Sequence, residues 1–269
     1  MRYVGGQREA GCVFCNRLAE RNDPESLILW RGEHAFAIMN LFPYNTGHIM
    51  LVPNEHVAGP EDADPRALTE IAEQMPSVLR ALRRALNCDG FNLGTNVGAT
   101  AGAGIASHLH EHVVPRWLGD ANFMPILATT MVMPELVPVT YAKLRAEIGR
   151  ELGRGPRCAV AVVDVEGDLV LSDGADGLPI AEAAPDEPMW KAAIRVAREA
   201  APDRTMDVCW AGSDSANGPI ALGVSVDQLP GNLSGWIEPD SLSESGDRMA
   251  ALRAMHEARH VAERRNPDR

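Results

Sequence analysis

The segment Ser107-His108-Leu109-His110-Glu111-His112-Val113-Val114-Pro115-Arg116 constrains this chain more tightly than any other. Residues two apart in an extended strand point to the same side, so His108, His110 and His112 form a row on one face. Three of the eight histidines fall within five positions. Imidazoles gathered in this way are costly to bury without a purpose, and the alternative reading is a solvated polar face. The row follows a glycine-rich stretch, Gly94-Thr95-Asn96-Val97-Gly98-Ala99-Thr100-Ala101-Gly102-Ala103-Gly104. Glycines there permit positive φ and let backbone amides approach an anion. Such a loop alone often just turns a chain, but directly before the histidines it sets candidate phosphate-binding amides beside candidate nucleophiles.

The rest of the chain supplies the frame. Alternating or β-rich runs at Leu27–Trp30, Ala35–Asn40, His48–Val52, Phe91–Asn96 and Ser107–Val114 predict five strands. Asp64-Pro65 reads as an N-cap acid with proline at the first helical position, opening a helix to about Asn87. Its apolar stripe is Leu68, Ile71, Met75, Val78, Leu79, Leu82 and Leu86. Pro76 inside that stripe is expected to kink or interrupt the helix. A second helix spans about Leu136–Leu152 and ends in the breakers Gly153-Arg154-Gly155-Pro156, which mark an expected boundary between residues 1–153 and 154–269.

Beyond that boundary the texture is α+β. Strands are expected at Cys158–Asp164 and Leu169–Leu171 around a Glu166-Gly167-Asp168 turn, then a long loop from Asp173 to Pro188. A helix at about Met189–Ala201, strands near Thr205–Trp210 and Ile220–Val226, a further loop and a closing helix at about Asp247–Arg264 complete the pattern. The acidic residues Asp164, Glu166, Asp168, Asp173 and Asp176 read as solvated turns, since no metal-loop spacing fits them.

The 25 basic and 37 acidic residues among 269 give a net charge of −12. That balance repels nucleic-acid backbones and anionic lipid surfaces, so a phosphate-bearing ligand must be held by a local site. With 45% hydrophobic residues and neither a membrane-length apolar run nor a signal-like start, a globular cytoplasmic protein is expected. Five cysteines, odd in number and thinly spread, do not make a disulfide framework. Only Cys12 and Cys15 stand close together, at the spacing of a zinc knuckle; a redox pair and two unrelated thiols are the other readings.

His108-Leu109-His110-Glu111-His112-Val113-Val114 resembles the signature of the histidine-triad (HIT) family. Asn40-Leu41-Phe42-Pro43-Tyr44-Asn45-Thr46-Gly47-His48, Gly90-Phe91-Asn92-Leu93-Gly94-Thr95-Asn96 and Pro115-Arg116-Trp117-Leu118-Gly119-Asp120-Ala121-Asn122-Phe123 extend the resemblance, towards the dinucleoside tetraphosphate phosphorylase type. It covers about Gly11 to Leu152. It implies a HIT-type antiparallel sheet with helices, here followed by a smaller α+β domain of unknown role. It also implies a homodimer acting on a nucleotide or dinucleoside polyphosphate through a nucleotidyl-histidine, with phosphate or water as acceptor.

By the same resemblance His110 is the nucleophile and His112 stabilises phosphate oxygens or the leaving group. Asn96 and the amides near Gly102 and Gly104 would hold non-bridging oxygens, Asn40 would reach the ribose, and His48 would be a hydrogen-bonding support. Cys12 and Cys15 would be joined by His56 and His108 in a structural zinc site. Glu111 departs from the family pattern, which has an apolar residue there, and so does Gly104, where many relatives carry a hydroxyl. A nucleotidyltransferase, a nucleoside-phosphoramidate hydrolase and a non-catalytic nucleotide-binding protein are the alternatives.

Overall fold

The structure, a computed structural model, describes residues 10–20, 22–120, 135–164, 168–213, 220–230 and 234–265. Residues 121–123, 165–167 and 266–269, on which part of the third motif, the expected acidic turn and the tail fall, lie outside them. Two short helices, α1 (Val13–Ala19) and α2 (Asp23–Ser26), precede strands β1 (Ile28–Arg31), β2 (Ala35–Met39) and β3 (Ile49–Pro53). Helix α3 (Pro65–Leu86) then leads to β4 (Gly90–Thr95) and β5 (Glu111–Arg116). These five strands form one antiparallel sheet in the order β1-β2-β3-β5-β4.

Helix α3 begins as its sequence dictates, with the Asp64 carboxylate accepting the Arg66 amide at 2.9 Å and Pro65 in the first turn. It ends at Asn87, whose φ of 52° closes the last turn. The expected interruption at Pro76 does not occur: the helix runs through it. The carbonyl that proline leaves without a partner is that of Ala72, and both residues are exposed, so water can satisfy it.

Alternation divides the sheet cleanly. Ala35, Ala37, Met39, Ile49, Leu51 and Val113 face α3 in one core. Phe36, Ile38, Met50 and Val52 face the other way, against Phe14 of α1. The expected strand at Ser107–Val114 is shifted: β5 starts only at Glu111 and runs on to Arg116, because its ladder to β3 ends at the Leu51–Glu111 pair. Ahead of it, Leu109 gives its amide to Val57 O at 2.6 Å.

Helix α4 (Val137–Gly149) ends in a widened turn, Arg150–Arg154, where Gly153 has φ +99°. The chain then builds β6 (Arg157–Asp164), β7 (Val170–Leu171), β8 (Ile180–Glu182) and α5 (Met189–Ala200). Strands β9 (Met206–Gly212), β10 (Ala221–Val226) and β11 (Trp236–Ile237) and the final helix α6 (Ser245–Arg265) follow. The second sheet is mixed, in the order β11-β7-β6-β10-β9, with β6 and β10 parallel and β8 against β6. Strands β8 and β11 lie within the two stretches expected to be loops; at three and two residues they are too short to show an alternation. Helices α5 and α6 cover opposite faces of this sheet, each through rows of alanines.

Helix α4 belongs to both packing systems. Tyr141, Leu144 and Ile148 enter the core of the first sheet, Ala142 and Ala146 the α5 side of the second, and Val139 its α6 side. The fully buried Glu147 accepts from Arg84 of α3 at 2.8 Å and from the amide of Met189 at the start of α5. Trp190 of α5 donates its indole N–H to Ala85 O at 3.1 Å, and Arg150 reaches the carbonyls of Ala184, Pro185 and Glu187. Among the described residues, no helix is long and apolar enough to cross a membrane.

Candidate active site and metal cluster

His112 sits on β5 opposite Met50 and Gly94, on the face turned away from α3. His48 stands beside it because the turn before β3 closes at Gly47, where φ is +74° and a Cβ would lie 2.3 Å from Leu86 Cδ1. The two imidazoles meet at 2.9 Å, His48 Nε2 to His112 Nδ1, and the ring of His110 stands 4.8 Å from that of His112 at 80°. His48 is completely buried and His110 is 4% exposed.

Hydrogen-bond partners fix which nitrogen of each ring carries the proton. His48 Nδ1 receives the Tyr44 amide at 3.0 Å, with the Asn40 side-chain amide at 3.3 Å, so it is an acceptor. Its Nε2–H therefore donates to His112 Nδ1, and His112 in turn carries its proton on Nε2. His110 Nδ1 lies 2.8 Å from the carbonyl of His108 and must donate to it. This leaves His110 Nε2 with a free lone pair. Burial holds these rings neutral: it is the leading reason why His48 falls to about 3 and His112 to about 4, with neighbouring histidines adding to both. His110 is likewise lowered by burial, against which its bond to the His108 carbonyl acts.

His108 faces elsewhere. Its Nε2–H donates to Pro53 O at 3.0 Å, which turns Nδ1 towards His56 Nδ1 (3.3 Å), Cys12 Sγ (3.3 Å) and Cys15 Sγ (3.7 Å). Cys15 Sγ lies 3.4 Å from His56 Nδ1, and all four ligand atoms fall within 4.8 Å of one another. A tetrahedral zinc at about 2.3 Å from sulfur and about 2.0–2.1 Å from nitrogen has N–N edges of about 3.3 Å and S–N edges of about 3.5 Å. The two-thiol, two-imidazole set therefore fits such an ion. Burial and the adjacent Cys12 both push the Cys15 thiol upward, a cost that a bound cation would offset.

Among the remaining expected site residues, Asn96 follows the end of β4 and its side chain has no partner among the described residues. Gly102 has φ +85° with open space around it, so backbone conformation rather than crowding requires the glycine. Gly104 is exposed on the turn leading to the histidines. Asn40 Oδ1 already accepts the Phe42 amide at 3.0 Å, leaving one lone pair for a ligand. Two contributors had no motif of their own. Phe14, between the cluster cysteines, packs its ring 5.3 Å from His108 and 5.2 Å from His110, and Tyr44 lies 4.7 Å from His48. Their only signal was their place inside two motifs singled out for other members, the cysteine pair and the segment from Asn40 to His48. Glu111 points to the opposite face and is held above its ordinary range by burial.

The HIT domain model matches residues 21–117. The AP-4-A phosphorylase of Mycobacterium tuberculosis is 39% identical over 134 residues, which span 50% of this chain and 69% of that protein. The asymmetrical bis(5'-nucleosyl)-tetraphosphatase of Schizosaccharomyces pombe is 27% identical over 95 residues, 35% of this chain and 52% of that one. A solved structure described as a Zn-bound histidine triad family protein from Mycobacterium smegmatis aligns with a TM-score of 0.43 at 25% identity, covering 52% of this chain and 94% of the other.

Proposed function

The chain belongs to the histidine-triad family, and we propose that it cleaves a dinucleoside polyphosphate, or a related nucleotidyl compound, through a covalent nucleotidyl-histidine at His110. The observation that carries this reading is the proton arrangement: a bare His110 Nε2 beside the Nε2–H of His112, both set by neighbours rather than by solution pH. The lone pair of His110 Nε2 would attack the α-phosphorus, forming a P–N bond as the P–O bond to the leaving polyphosphate breaks. His112 Nε2–H would donate to the phosphoryl oxygens or to the leaving oxygen as charge develops there. Phosphate or water would then attack phosphorus, break the P–N bond and regenerate His110.

Asn96 and the amides at Gly102 and Gly104 are assigned to the non-bridging oxygens. Asn40 is assigned to the ribose through its remaining lone pair, and His48 positions His112. Cys12, Cys15, His56 and His108 are assigned to a structural zinc, which on binding would pin α1, and with it Phe14, against the histidines. Residues 1–153 would carry the chemistry, and 154–269 would form a second unit docked through α4. That unit sits behind the sheet, on the face opposite His110, which favours assembly or a separate ligand over a cap on the site. A homodimer is supported by the place of β4 at the edge of the sheet among the described residues, where Leu93 and neighbouring Val97 are exposed.

The test is incubation with diadenosine tetraphosphate with and without inorganic phosphate, with products identified by mass. Quenching in alkali should trap protein carrying one nucleotidyl group on His110. Turnover with no such adduct, and unaffected by His110→Ala, would overturn the mechanism.

A further inference from the structure

We infer that the cleft between the two halves, on the side of the first sheet opposite the histidines, is a second ligand site for a small organic anion with a flat apolar body. The cleft has a volume of about 660 Å³ and lies among α2, β1 and α4 of the first half and β9, β10 and the start of α6 of the second. That size matches a small-molecule pocket rather than a packing defect.

Three arginines line it, Arg31, Arg145 and Arg253, and of the three carboxylates there, Asp23, Glu244 and Asp247, only Asp23 is ion-paired with an arginine among the described residues. Arg145 is 5% exposed, yet its Nε has no hydrogen-bond partner among the described residues, and its other guanidinium nitrogens bind Leu29 O and Asp23. A buried orphan donor on a cavity wall costs stability unless something occupies the cavity. Asp23 is shared between Arg145 at 3.0 Å and Arg31 at 2.7 Å, so one carboxylate answers two guanidiniums. A third, Arg253 of α6, has among the described residues only the neutral Asn22 side chain, at 3.5 Å.

The 21-residue helix α6 starts at this cleft, and Ser245 and Gly246 of its first turn line it. First-turn amides lack helical partners and favour negative charge. Glu244 and Asp247 stand on the same turn, Asp247 already accepting the Leu178 amide at 2.9 Å.

The apolar side is equally fixed. Trp210 lines the cleft, and a Cβ on Gly212 would lie 2.3 Å from its ring, so the glycine is what lets the indole lie there. A Cβ on Gly223 would meet the Trp210 side chain at 3.1 Å and Ala254 at 2.7 Å. The ligand class that satisfies both sides has one carboxylate, sulfonate or phosphate head for the arginines and a planar body for the indole.

The probe is 8-anilinonaphthalene-1-sulfonate, titrated by fluorescence into the full-length protein. One saturable site per chain is expected. Arg253→Glu and Met249→Glu, both on exposed positions of the wall, should each weaken binding roughly tenfold, while Arg198→Glu on α5, the same charge change across the sheet, should not. Phenyl phosphate and benzoate are then competed against the probe: displacement by the first identifies a phosphate-type head, by the second a carboxylate-type head. Dye binding that is not saturable, that is equally weakened by Arg198→Glu, or that neither competitor displaces would overturn the site. Nucleotide turnover, measured in parallel, should be unchanged in all three variants, which separates this proposal from the one at His110.

Discussion

The two sheets of this protein use their faces in opposite ways. The first buries one face under α3 and α4 and reserves part of the other for imidazoles; the second is covered on both faces by α5 and α6 through small aliphatic side chains. Polar groups on the first sheet survive burial because each has a specified partner: His108 has Pro53 O, His110 has His108 O and His48 has the Tyr44 amide. A sheet face can carry chemistry only where backbone carbonyls and amides lie beyond its ladder to fix the side chains. Between the two sheets α4 shows the cost of joining two such systems, since it must be buried on several sides and still accommodate Arg145 and Glu147.

If the first sheet alone carries the chemistry, the largest effect should come from His110→Ala: nucleotide turnover falls by roughly a thousandfold or more, with the melting temperature nearly unchanged. A variant keeping full turnover would erase the functional distinction between the sheets. The seam should behave in the reverse manner. Glu147→Ala leaves the buried Met189 amide without its acceptor and Arg84 with Glu151 alone, and should destabilise folding by about 1–3 kcal/mol, read by denaturant unfolding, while surviving folded protein keeps its turnover. By the same reasoning, a chain ending after Arg154 exposes Val139, Ala142 and Ala146 and should aggregate; a soluble monomer of native-like stability would show that the two packing systems are independent.

A smaller effect should follow at the metal cluster. Cys12→Ser should remove about one zinc per chain by elemental analysis and, through the loosened contact of Phe14 with His110, lower turnover by roughly 10–100-fold. Stoichiometric zinc in that variant would dissociate the cluster from the site. The smallest effect concerns pH. His48 titrates at about 3 in the folded protein against 6.5 ordinarily, so the unfolded chain takes up the proton first. Its contribution is fully present above pH 6.5 and is lost on acidification towards 3, at about 1.4 kcal/mol per pH unit. Melting temperature measured from pH 8 to 5 should fall less steeply for His48→Gln than for the parent protein; equal slopes would mean that His48 is not held neutral by its burial.

Local patterns that repeat within a few residues were readable without coordinates. Asp64-Pro65 and the apolar stripe placed α3 to within a residue, and the apolar, β-rich runs Ala35–Asn40 and His48–Val52 placed β2 and β3, though not the face each side chain takes. The four cluster residues were named from a motif resemblance, and they do converge on one another. What the chain could not announce was anything held by backbone from a distant segment. The direction of each imidazole depends on carbonyls of Pro53 and His108 and the amide of Tyr44, groups that every residue possesses and that leave no trace in residue type. The continuity of α3 through Pro76 depended on which carbonyl faced water. The sharing of α4 depended on a second sheet arriving at its far side, since a helix buried all round reads as merely apolar until its neighbours are known. Sequence by itself named the side chains to which chemistry is assigned; tertiary structure decided where His108 and His110 turn ahead of β5 and which ring atoms carry protons, because those choices are made by hydrogen bonds across the fold.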